Sequence, residues 1–119
     1  MKTAIIIKGN PKFIEGNQIA EKFYNDLKLF LEELGYKTSF DSGEPYTTPK
    51  GADIWIGHSR GCDRLRFAST ETATIYLGTK DGINHPEDKS FSKNQIPNTF
   101  HFKLTNEMRE EIAKSIASQ

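Results

Sequence analysis

The chain has 119 residues, enough for one domain and too few for two. Sixteen basic and sixteen acidic residues cancel, so net charge gives no case for nucleic acid or an anionic membrane surface as partner. The single cysteine, Cys62, excludes an internal disulfide and fits a reducing compartment. The apolar run near the N-terminus is too short for a signal peptide or a membrane span. A soluble, cytoplasmic protein is expected.

Ala4 to Ile7 is a β-branched run closed by Lys8-Gly9-Asn10-Pro11, which predicts a buried parallel strand. From about Asn17 to Leu34, Ile19, Phe23, Leu27, Phe30, Leu31 and Leu34 recur at spacings of three and four. That period predicts an amphipathic helix, with Gly35 as its stop. Tyr36 to Phe40 reads as a short peripheral strand, and Asp41 to Gly51, with two prolines and two glycines, as a loop. Asp53 to Gly57 is the third predicted strand. A helix is expected to begin near Ser59 or Arg60 and to carry Leu65 and Phe67 inward.

Thr72 to Leu77, ended by Gly78, is the fourth predicted strand. Lys80 to Pro97 reads as a long loop of the kind that often carries function. Thr99 to Leu104 is expected to be a fifth strand. Thr105 or Asn106 then caps a last helix facing inward through Met108, Ile112 and Ile116. Strands alternating with helices predict an α/β three-layer sandwich over residues 1–119. Right-handed crossovers give its five-stranded, mainly parallel sheet the order 2-1-3-4-5. Its ligand site is expected at the carboxyl ends of the strands.

The most informative stretch is Ile54-Trp55-Ile56-Gly57-His58-Ser59-Arg60-Gly61, an apolar strand entering Gly-x-Ser-x-Gly. It resembles the nucleophile strand and elbow of the α/β-hydrolase superfamily, in which a sharp turn lifts a serine hydroxyl above the sheet. The resemblance implies a minimal, capless hydrolase core with Ser59 as nucleophile. It also implies an oxyanion hole from the backbone N–H groups of Arg60 and of Gly9 or Asn10. Activating a serine needs a base. His85, in the loop after the fourth strand, is the histidine placed to reach Ser59. His58 reads as a supporting residue and His101 as a half-exposed strand residue. Asp81 or Asp88 would orient the imidazole of His85, although either could be an ordinary loop aspartate.

The expected reaction is cleavage of an ester, thioester or amide in a small-molecule substrate, without cofactor or metal. No cysteine/histidine cluster has zinc spacing and no acidic run has a calcium-loop pattern. Oligomeric state is open, a small core being compatible with a dimer. Gly57-His58-Ser59-Arg60-Gly61-Cys62-Asp63-Arg64-Leu65 also resembles the Gly-x-x-Arg-Gly-x-Asp-Arg-Leu turn of SLOG-type nucleotide sensors. There a glycine loop and helix N-terminus hold a phosphate, and Arg60 and Arg64 would add charge-assisted bonds. A third reading keeps the hydrolase-like fold as a catalytically idle binding module. Trp55 reads as core and Cys62 as a small packing residue. Phe13 and Tyr46 would border the site or anchor their loops.

Overall fold

Among the described residues, five short segments adopt extended backbone and pair in parallel. The computed structural model describes residues 2–8, 15–41, 52–58, 73–78, 95–97 and 102–117. In chain order the elements are β1 (Lys2–Ile7), α1 (Gln18–Glu33), β2 (Tyr36–Asp41), β3 (Ile54–His58), β4 (Ala73–Gly78), β5 (Gln95–Pro97) and α2 (Asn106–Ala117). The strands stand in the order β2-β1-β3-β4-β5. The fold is therefore of the α/β kind.

Register follows the burial pattern. Ala4 lies beside Thr38 on one side and Ile54 on the other. Ile6 lies beside Phe40 and Ile56, and Ile56 in turn beside Ile75. Alternation puts these residues on one face of the sheet. That face packs against Ala20, Phe23, Tyr24, Leu27 and Leu31 of α1 and Met108 and Ile112 of α2. Full burial of each larger side chain contributes about 1.5–3 kcal/mol. Ile5, Ile7 and Trp55 point to the opposite face and are buried as well. Both faces of the central strands are thus shielded from water. Trp55 is a core residue, as its place in the strand suggests.

Helix α1 begins where Asn17 accepts backbone N–H bonds from Ile19 (3.0 Å) and Ala20 (3.2 Å). This is an N-cap of the preferred residue type. It ends where the N–H of Gly35 reaches the Glu32 carbonyl at 3.0 Å. Gly35 has φ +95°, a left-handed conformation open to glycine. Two residues expected inside are outside. Ile19 is 68% exposed and Leu34 40% exposed. The buried stripe is centred on Ala20, Tyr24, Leu27 and Leu31. Ile19 stands about 100° from Ala20 around the axis, which turns it away. Leu34 lies past the last helical turn.

The sheet's outer strands are also informative. β2 alternates buried Tyr36 and Thr38 with exposed Lys37 and Ser39, the pattern of a strand wet on one side. The fifth strand is Gln95–Pro97, inside the segment expected to be a loop, and residues 102–104, the described part of the expected Thr99–Leu104 strand, are not extended into one. β5 pairs with β4 through Tyr76–Gln95, Leu77–Ile96 and Gly78–Pro97, and proline is tolerated at such an edge. Phe102 sits in a turn, and its ring reaches Phe23 and Tyr24 at centroid distances of 6.2 and 6.4 Å. From that turn the partly buried ring packs against the core. Thr105 caps α2 by accepting from the Met108 N–H at 3.1 Å. Ile116 packs against the core edge.

At the amino edge, Asp53 joins β3 to β1. Its carboxylate accepts from the Thr3 backbone N–H at 2.7 Å and its own N–H donates to the Thr3 carbonyl at 3.0 Å. Asp53→Ala should lower stability by about 1 kcal/mol in urea unfolding, and an unchanged midpoint would remove this staple from the account. Gly35→Ala should cost about 1–2 kcal/mol for conformational reasons alone, because an added Cβ meets no atom within 4 Å.

Candidate functional site

Parallel strands end on the same side of a sheet. Here Ile7, Asp41, His58, Gly78 and Pro97 close β1 to β5 along one edge. β1 lies between β2 and β3, so chain connections leave it in opposite directions. The crevice at such a reversal is where open α/β sheets bind ligands. Ile7 pairs with Gly57, and His58 with Leu77. The carboxyl ends of β1, β3 and β4 therefore lie side by side.

His58, the last residue of β3, is fully buried. Alternation sends it to the same face as Ile54 and Ile56, toward α1. Its Nδ1 is 2.8 Å from the Tyr24 hydroxyl, which is buried too. Either group can be the donor, according to the imidazole tautomer. The ring lies 4.6 Å from Phe23 and 5.7 Å from Phe102, centroid to centroid. Tyr24 meets it edge-on at 5.3 Å. A buried polar ring in such a setting needs hydrogen bonds, and Tyr24 supplies one. The bond ties the end of β3 to α1.

Lys8 leaves the end of β1 on the same side. Its ammonium lies 4.3 Å from the centre of the Phe40 ring and 5.4 Å from that of Tyr24. Both distances are within cation–π range. Thus Lys8, the residue after β1, joins Phe40 of β2, Tyr24 of α1 and His58 of β3 in one group.

Ser59 follows His58 in the chain, and Gly9 and Asn10 follow Lys8. Ser59, Arg60, Asp81, His85, Asp88, Gly9 and Asn10 all lie outside the described residues, as do His101, Cys62, Phe13 and Tyr46. What the structure brings together is the strand ends from which the Ser59 and Gly9 segments depart. Sequence reading did not single out Tyr24, Phe40, Phe102 or Lys8 as site residues. Tyr24 carries a weak signal, since a buried tyrosine usually finds a hydroxyl partner, but its partner is 34 residues away.

Among the described residues, no group of three histidine, cysteine, aspartate or glutamate side chains could hold a metal ion. No described helix is long and apolar enough to cross a membrane. No protein-family model matches the chain, and no curated protein or solved structure matches it either.

Tyr24→Phe keeps the ring packing and deletes the bond to His58. It should cost about 1–2 kcal/mol, read as a lower urea midpoint with an unchanged slope. A variant as stable as the wild type would show that this bond contributes nothing net.

Proposed function

We propose that the chain is a small, capless serine hydrolase, built as a three-layer sandwich on its five-stranded sheet and acting in the cytoplasm on a small-molecule ester, thioester or amide. The observation that carries the reading is the setting of β3. It is buried throughout, paired on both sides, and its last residue, His58, at the carboxyl edge, precedes Ser59 in the chain. The Gly-x-Ser-x-Gly turn of the hydrolase elbow occupies that position after such a strand. The buried Ile5, Ile7 and Trp55 support a second covering layer, which the segment after Ser59 would supply.

In this mechanism the Ser59 hydroxyl oxygen attacks the substrate carbonyl carbon as its proton passes to the imidazole of His85. Asp81 or Asp88 holds that imidazole in the correct tautomer. The carbonyl oxygen becomes an oxyanion, held by the N–H groups of Arg60 and of Gly9 or Asn10. Collapse breaks the bond to the leaving group, which takes the proton from His85. Water then cleaves the acyl-serine by the same steps, releasing an acid and restoring the serine. No metal or cofactor enters this scheme.

A second reading, a nucleotide sensor holding phosphate on the Gly57–Arg64 turn, draws support from the cation of Lys8 at the same edge. Under it a nucleotide raises the melting temperature, and Arg60→Ala weakens that rise.

Intact-mass analysis after incubation with a fluorophosphonate separates the two. The hydrolase reading expects one adduct on the wild type and none on Ser59→Ala. Ser59→Ala should also lose turnover by a factor on the order of a thousand or more. A folded wild-type protein that takes up no adduct would overturn the hydrolase reading.

A further inference from the structure

Lys8 follows the carboxyl end of β1. Its ammonium rests on two aromatic rings from different elements, Phe40 of β2 and Tyr24 of α1. Tyr24 is held by packing and by its bond to His58, and Phe40 packs against the core edge. This floor fixes the cation in place, but an aromatic face does not use its N–H donors as an oxyanion would. No carboxylate pairs with Lys8 among the described residues; the ion pairs of α1 and α2 are Lys22–Asp26, Lys28–Glu32 and Lys114–Glu111.

The surroundings add positive potential. β1 and β2 are parallel, so α1 runs back from the carboxyl edge and its N-terminus lies on this side. Three described carboxylates belong to segments at this edge: Asp41, Glu21 and Glu15, the last exposed just before α1. Asp41 ends β2 beside Ile7, which alternation assigns to the opposite face from Lys8, and Asp41 already has a partner. Glu21 is exposed in the first turn of α1.

We propose that Lys8 anchors an oxyanion group, a carboxylate or phosphate, on the small molecule bound at the carboxyl edge. As a statement about substrate this rests on the hydrolase reading, and it narrows the class to esters, thioesters or amides that carry such a group. The anchor itself is measured without turnover. Thermal melts would be recorded with inorganic phosphate and with succinate at tens of millimolar, against sodium chloride of equal ionic strength. The proteins are the wild type, Lys8→Met, Lys8→Arg, and Lys37→Met as a charge-matched control on exposed β2. Methionine keeps the apolar stem on the rings and removes the charge.

The expected result is a rise of about 3 °C or more in the wild type with at least one probe. It should be kept in Lys8→Arg and Lys37→Met and lost in Lys8→Met. A rise with phosphate alone would identify a phosphate group; a rise with succinate alone would identify a carboxylate. No rise in the wild type, or an equal rise in Lys8→Met, would overturn the inference. Fluorophosphonate labelling reports separately. An adduct on Ser59 without an anion-dependent rise leaves the hydrolase and removes the anchor, whereas the rise without an adduct leaves the anchor and removes the hydrolase.

Discussion

Strand β3 sets the terms for the rest of the molecule. Every residue from Ile54 to His58 is buried, so this segment needs neighbours on both edges and cover on both faces. Its backbone groups are satisfied by β1 and β4. One face is covered by α1 and α2. A segment with these demands cannot lie at the rim of the sheet. The strands with polar side chains or proline, β2 and β5, lie at the rims instead.

His58, a buried imidazole on this face, is the last residue of β3 and precedes Ser59 in the chain. An unpaired imidazole would be costly there, and the Tyr24 hydroxyl offsets part of that cost. The bond also has a geometric consequence. It fixes the last residue of β3 against α1, so the residue that follows starts from a rigid support. Sites built on held elements keep their geometry better than sites on free loops. The same tyrosine underlies Lys8, and one helical residue thereby touches both strand ends between which the site is expected.

Periodic features of the chain were legible before any coordinates. The β-branched runs of β1 and β3 correspond to strands, Asn17 to Gly35 encloses α1, and Thr105 caps α2. These are local patterns, and local physics suffices for them. The misreadings share a different cause. Ile19 falls on the helical period but lies about 100° from the first buried residue, and tertiary packing chose the narrower stripe. Phe102 falls in the segment expected to be a fifth strand, yet it sits in a turn from which its partly buried ring meets Phe23 and Tyr24. Tyr24 with His58, and Lys8 with Phe40, are pairings between segments far apart in sequence. No periodicity encodes them. The roles given to Ser59, His85, Asp81 and Asp88 rest on motif and chain order.

The proposed hydrolase requires Ser59 to be an activated nucleophile facing an oxyanion hole. The decisive experiment is a crystal structure of the fluorophosphonate-treated protein. The expected result is a covalent bond from phosphorus to the Ser59 oxygen. The phosphonyl oxygen should lie within hydrogen-bonding distance of the Arg60 N–H and of the Gly9 or Asn10 N–H, with the His85 ring beside the serine oxygen. An unmodified Ser59, or a phosphonyl oxygen turned to solvent with His85 remote, would contradict it.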